Sequence, residues 1–189
     1  MKKHDLVYLT EDASHHHAIE LINEEAFGPG RFARAAARIR EQGPHDLSLS
    51  FVCADRGETI ASVRMTPVFA GDVRAHLLGP LAVRPSHKNM GIGRELVRIA
   101  IEGARRKGSE GVILVGDPPY YMPLGFEKVR YNALKFSAPV DPGRILIVPM
   151  ADGVHDRLGG EIRWRDDALF SIVPGYGTVD HAEKTPKYA

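Results

Sequence analysis

The amino-acid sequence predicts an α/β protein of the α+β type, with a mixed but mostly antiparallel central sheet flanked by helices. Three observations carry that prediction. Between Leu47 and Val83 apolar residues recur with period two, and only tight turns, Asp55-Arg56-Gly57-Glu58 and Gly71-Asp72, separate the runs, as in antiparallel hairpins. Gly91 to Lys107 has the period of an amphipathic helix. Val112-Ile113-Leu114-Val115 then forms an unbroken apolar run typical of a strand covered on both faces, so strand, helix and strand make one parallel crossover.

In chain order, residues 13–27 read as a first helix, with Ser14 as N-cap and Ala18, Leu21, Ile22, Glu25 and Ala26 on its inner stripe. Gly28-Pro29-Gly30 ends it, and a second short helix runs from Phe32 to Arg40 before Gly43-Pro44. Both helices are expected ahead of any strand. The strands follow as Leu47 to Ala54, Thr59 to Phe69 and Val73 to Val83, the last with Gly79-Pro80 as a bulge or an interruption of the ladder. In the long helix Ile92, Leu96, Ile99, Ala100 and Gly103 face inward, while Glu95 with Arg98 and Glu102 with Arg106 set opposite charges on the wet side. A short helix or turn is expected from Pro118 to Phe126, and strands at Phe126 to Arg130, Ala133 to Ser137, Arg144 to Met150 and Arg157 to Arg165. Residues 1–170 read as one domain and 171–189 as a loosely held tail.

Composition narrows the function classes. Of the 189 residues 43% are hydrophobic, enough for a real core, and 25 Lys and Arg against 24 Asp and Glu leave a net charge of +1. Without a strong field the chain is not expected to bind nucleic acid or an anionic membrane surface. The one cysteine, Cys53, excludes an internal disulfide and points to a reducing compartment. No apolar run approaches the roughly 18 residues of a membrane span, and the basic start lacks a signal-peptide pattern. The expected setting is soluble and cytoplasmic.

The chemistry concentrates in Leu81-Ala82-Val83-Arg84-Pro85-Ser86-His87-Lys88-Asn89-Met90-Gly91-Ile92-Gly93-Arg94, which leads from a strand into the long helix. A helix N-terminus offers unpaired N–H groups and the positive end of the dipole, and Gly91 and Gly93 let a pyrophosphate approach the backbone. No Gly-Lys-Ser/Thr follows, so this is not a P-loop, and the dinucleotide pattern lacks its third glycine. Lys88-Asn89-Met90-Gly91-Ile92-Gly93 is similar to the Gln/Arg-x-x-Gly-x-Gly/Ala signature of the GNAT superfamily of acetyl-CoA-dependent N-acetyltransferases. Lys88 departs from the usual first residue, where that family relies mainly on backbone N–H groups. Tyr121-Met122-Pro123-Leu124-Gly125-Phe126 resembles the family's Tyr-x-x-x-Gly-Phe segment, and Gly116-Asp117-Pro118 ahead of Tyr120-Tyr121 resembles a subgroup of predicted N-acetyltransferases. The resemblance spans roughly residues 5–150.

That resemblance implies a GNAT-like fold and acetyl-CoA as cosubstrate, without metal. It places the cofactor where the fourth and fifth strands splay apart, against Leu81, Ala82 and Val83 and the cradle Lys88, Asn89, Met90, Gly91, Ile92, Gly93 and Arg94. An N–H near Leu81 would hold the thioester oxygen. Tyr121 takes the position of the general acid that protonates the leaving CoA thiolate. A phenol near ~10 and a thiol near ~8.5 make that transfer uphill by only about 2 kcal/mol. Tyr120 is read as mainly structural, with an exchange of roles between the adjacent tyrosines left open. Removing a proton from a lysine-like amine at pH 7 costs about 4.6 kcal/mol, and Asp117, Glu24, Glu25 or a water chain are the candidate bases.

Other features read as structural. Consecutive His15, His16 and His17 point in different directions on a helix and cannot converge on one ion. Cys53 alternates with Leu49 and Phe51 as a buried small hydrophobe, and Trp164 anchors the last strand. Arg31, beyond Gly30, is either a contact for an acidic acceptor or a surface arginine. The expected function is transfer of acetyl from acetyl-CoA to a primary amine of a small molecule or protein. A non-catalytic acyl-CoA-binding module and a transferase using a longer acyl-CoA are the alternatives. A homodimer formed by pairing of an exposed C-terminal strand is a further expectation.

Overall fold

The computed structural model describes residues 4–30 and 34–167. The chain opens with a strand, β1 (Leu6–Thr10), ahead of a 3-10 turn at Ala13–His15 and helix α1 (His16–Phe27). Helix α2 (Ala35–Arg40) precedes β2 (Phe51–Asp55), β3 (Glu58–Gly71) and β4 (Val73–Val83). Helix α3 (Ile92–Arg106) crosses to β5 (Gly111–Val115), and α4 (Pro118–Tyr121) follows. The later elements are β6 (Glu127–Lys128), β7 (Leu134–Lys135), β8 (Ile145–Pro149), α5 (Val154–Arg157) and β9 (Leu158–Trp164).

Among the described residues nine strands run in the order β1-β2-β3-β4-β5-β8-β6, with β9 on β3 and β7 on β9. Only β4 with β5 and β7 with β9 are parallel. The mixed, mostly antiparallel sheet is therefore as expected. Arg56 and Gly57 both have positive φ, the backbone twist that a two-residue hairpin loop between β2 and β3 needs.

Alternate residues of the central strands feed two cores. Val112 and Leu114 of β5 pack with Leu96, Val97 and Ala100 of α3, whereas Ile113 joins Ile39, Leu77, Ile145 and Ile147 on the opposite face. This division explains why the β5 run is apolar throughout. In α3 the buried stripe includes Val97, while Ile99 is only half-buried, and both expected surface ion pairs form.

Several expectations are corrected. β1 precedes both helices; it is short and half-exposed, and gains its hydrogen bonds from β2, so five residues of local pattern did not reveal it. Leu47–Leu49 is a 3-10 turn and not the start of a strand, because the Asp46 side chain accepts from the Ser48 N–H at 3.0 Å and bends the backbone. Asp12 caps the first turn in place of Ser14, and α1 buries Ile19, Ile22 and Asn23 while Leu21 stays exposed. The buried face of α1 is therefore turned from the apolar stripe and includes a polar residue, Asn23. β9 is no free edge. β4 holds one side of β3, β2 and β9 share the other, and β7 covers β9 at Gly160 and Glu161. Trp164 is an anchor as expected: its ring N–H donates to the Pro44 carbonyl at 3.0 Å, and its indole lies flat on Gly43. Arg31 and the 171–189 tail lie outside the described residues.

Candidate active site

Two strands that begin as neighbours part in the middle of the sheet. β4 and β5 pair at Ala75 with Gly111, His76 with Val112 and Leu77 with Ile113, and then the ladder stops. Beyond that point β4 stays on β3 and β5 stays on β8. Opposite the single residue Arg64, β4 spends two residues, Gly79 and Pro80, between the pairs Leu78 with Met65 and Leu81 with Val63. This is the bulge expected from Gly79-Pro80, and Gly79 takes a φ of +118°, which favours glycine.

On one side of the splay the chain turns into α3. Asn89 and Gly91 adopt left-handed backbone, with φ of +64° and +79°, and no side chain caps the helix. The N–H groups of its first turn therefore face outward unsatisfied by a cap, beside the positive end of a four-turn dipole. A cleft of ≈700 Å³ opens there. Leu81, Ala82 and Val83 form one wall, and Lys88, Asn89, Gly91, Ile92, Gly93 and Arg94 form another. Met90 is the predicted residue that the structure leaves out; its side chain is exposed and does not line the cleft. Ile92 contributes backbone only, since its side chain is buried in the core under α3.

Tyr120 is the residue that spacing did not point to. A Cβ at Gly93 would lie 2.7 Å from its hydroxyl oxygen, and the Arg94 guanidinium stands over its ring at 5.8 Å. It lines the same cleft as the cradle. The neighbouring pair of tyrosines in the sequence was the available signal, but which ring faces which way depends on how α4 is seated.

A second cleft, of ≈770 Å³, lies on the other side of the splay and shares Leu81, Asp117 and Tyr121 with the first. Tyr121 is held by aromatic edges, with ring centroids 4.8 Å from Tyr120 and 5.7 Å from Phe126. Gly116 lies against its ring. Burial first, then the neighbouring Tyr120 and Asp117, push the Tyr121 phenol up to about 12 against the opposing charge of Arg144. The phenol keeps its proton at neutral pH. Asp117 also lies between the two clefts, but its side chain is 74% exposed and pairs with Arg144 at 2.8 Å. It is an orienting charge at the mouth more than a shielded proton acceptor. Glu25 sits 3.7 Å from Arg84, and Glu24 lines neither cleft.

The remaining candidates fall where the spacing placed them. Cys53 is fully buried, and that burial raises its thiol, which suits a small core residue. His15 accepts from the Asp12 N–H while His16 approaches Arg64, so the three consecutive histidines do not converge. Two other groups of His and carboxylate do converge, His4 with Asp55 and His87, and Asp46 with His76 and Asp167. In the first the carboxylate already bonds both rings, and in the second Lys107 and Arg165 hold the carboxylates.

The model of the acetyltransferase (GNAT) family matches residues 15–126, more than half of the chain and across the cradle and Tyr121. The chain belongs to the GNAT family. As a GNAT protein it is an acyltransferase. An uncharacterized N-acetyltransferase of Escherichia coli K12, YjhQ, is 30% identical over 131 residues, 67% of this chain and 72% of YjhQ. YhbS, another uncharacterized N-acetyltransferase of E. coli, is 25% identical over 151 residues, 78% of this chain and 89% of YhbS. The crystal structure of YhbS in complex with CoA superposes with a TM-score of 0.73 at 22% identity, covering 87% of this chain and 92% of that one. A GNAT acetyltransferase of Brucella melitensis in complex with acetyl-CoA gives 0.63 at 22% identity, over 86% and 97%. At that identity the superpositions speak for the fold. No helix among the described residues is long and apolar enough to cross a membrane.

Proposed function

We propose that this GNAT protein transfers the acetyl group of acetyl-CoA directly to a primary amine. The observation that carries the reading is the uncapped N-terminus of α3, opening into a cleft that meets a second cleft at Leu81, Asp117 and Tyr121. One side suits a phosphate-bearing donor and the other an acceptor. The fit to CoA rests on features of this chain. A Cβ at Gly93 would crowd the cradle against Tyr120, and the first-turn N–H groups lack a side-chain cap. CoA and acetyl-CoA in the crystal structures of YhbS and the Brucella protein support the same choice.

In this reading the first turn of α3, with Lys88, Asn89 and Arg94, holds the pyrophosphate. The edge of β4 from Leu81 to Val83, released from β5 by the splay, pairs with the pantetheine arm. Acetyl-CoA supplies the activated acyl carbon. The acceptor nitrogen forms the new C–N bond as the C–S bond breaks; Tyr121 gives its proton to the sulfur, and the proton lost by nitrogen returns to Tyr121 through Asp117 or water. With the phenol raised by burial to about 12 and an unperturbed thiol near ~8.5, the transfer would be uphill by about 5 kcal/mol. The same burial that raises the phenol raises the thiol held beside it, which narrows the gap.

The test is an acetyl-CoA titration by calorimetry beside free CoA and Gly93→Leu, followed by CoA release with an amine panel. One-site binding lost in the variant and amine-dependent CoA release support the transfer. Binding without release by any amine would replace it with an acyl-CoA-binding module, and no binding by folded protein would end both readings.

A further inference from the structure

The second cleft contains a charge with no counter-charge. Arg40, the last residue of α2, lines it half-buried, with Nε enclosed and without a hydrogen-bond partner among the described residues. No carboxylate of the described residues lies within salt-bridge distance of it. The other arginines there are engaged: Arg64 with Glu11 and Glu20, Arg144 with Asp117, and Arg34 over the Phe27 ring at 4.7 Å. The acidic side chains of the cleft are engaged as well. Glu20 faces Arg64, Glu41 faces Arg38 at 3.0 Å, and Asp141 accepts from the Gly143 N–H.

Burial, then the nearby Arg34 and Arg64, lower the Arg40 guanidinium to about 10, so it remains charged at neutral pH. A charged guanidinium whose Nε is enclosed without a partner is costly, and a carboxylate is the group whose two oxygens match its fork. Two more polar atoms of the same cleft are buried without partners, Asn23 Oδ1 and Thr66 Oγ1. A cleft with an unmatched cation and two unmatched hydrogen-bonding groups is incomplete without a polar, anionic occupant.

Its position limits the occupant's size. The Arg40 Nη2 atom lies 3.0 Å from where a Cβ of residue 79 would stand, and the Leu81 nitrogen lies 3.6 Å from the same point. Residues 79 and 81 are at most about 7 Å apart along the strand, so the anion sits close to the thioester's place. We infer that the acceptor is a free amino acid, or a comparably small amine with a carboxylate a few bonds from the reacting nitrogen, held by Arg40 at the β4 bulge. This substrate class rests on the transfer proposed above.

Calorimetry on the CoA-loaded protein, with a set of L-amino acids and the matching C-terminal amides, tests it. The acids bind at least ten-fold more tightly than their amides, Arg40→Gln removes the difference, and Arg40→Lys restores part of it. Acetyl-CoA affinity is the same in all three proteins, and the thermal midpoint of Arg40→Gln is no lower than that of the wild type, since an uncompensated charge is removed. Equal binding of acids and amides, a preference that survives Arg40→Gln, absence of binding by any amino acid, or tighter binding of peptide amines would overturn the inference. CoA release with the same set separates the two claims: acids that bind but release no CoA leave the carboxylate site standing and remove the transfer.

Discussion

Tyr121 and Gly116 act together, because the absence of a side chain at 116 is what lets the phenol ring settle. A Cβ there would overlap the Tyr121 ring. Gly116→Ala is therefore expected to move the ring, lowering kcat by about 10²-fold while leaving acetyl-CoA affinity within two-fold. Steady-state kinetics beside calorimetry reads both numbers. Tyr121→Phe, which keeps the ring and deletes the proton, should cost about 10²-fold or more in kcat. The pH profile follows from the direction of the shift. The acid must be protonated and, raised to about 12, remains so; the acceptor amine must be neutral, so kcat/KM rises with pH and shows no falling limb below about pH 11. A falling limb near pH 9 would remove Tyr121 from the acid's role.

At the scale of elements, α3 has two separable duties. Its inner stripe supports the sheet, and its first turn lines the cleft beside Leu81, Ala82 and Val83. Leu96 is fully buried, so Leu96→Ala should destabilise the fold by about 2–5 kcal/mol in denaturant titration with little effect on acetyl-CoA affinity in the folded protein. Gly93→Leu should do the reverse, since Tyr120 at the cleft can swing aside from the new side chain but the donor cannot share its space. Equal effects of both variants on binding would mean that α3 does not present its N-terminus to the ligand. β4 is divided in the same way. Its half up to Leu77 closes the sheet, and the half beyond the Gly79-Pro80 bulge is left with an edge toward the cleft.

For the whole molecule, stability in acid depends in part on Asp55, where the two ends of the early sheet meet the loop before α3. Asp55, at the end of β2, accepts from the Asp5 N–H and contacts His4 and His87, and these bonds, that of Asp5 first, hold its carboxyl well below the usual carboxylate range. The sign is that of a depressed acid: its contribution is fully present above the unfolded value near ~3.9 and is lost as pH falls further. Thermal midpoints should be level from pH 7 to about 5 and fall below about 4, with a shallower fall in Asp55→Asn. A variant with the same acid slope as the wild type would show that other carboxylates dominate.

Period, turn chemistry and glycine placement are local properties, and they determined the hairpins, the crossover through α3, the bulge at Gly79-Pro80 and the turn into α3 at Gly91. Each is set by the conformations and hydrogen bonds of neighbouring residues, so it can be read along the chain. Even locally, one competition was hidden, since Asp46 redirects Leu47–Leu49 from strand to turn through a single side-chain bond. β1 depends on a partner more than forty residues away, and spacing alone could not show it. The second cleft was beyond reach for the same reason. Asn23, Arg40, Thr66 and Gly79 come from four elements, and only the tertiary structure brings them to one cleft and leaves a polar atom of each of the first three without a partner among the described residues, because burial and counter-charge are set by what folds against a residue and not by what precedes it.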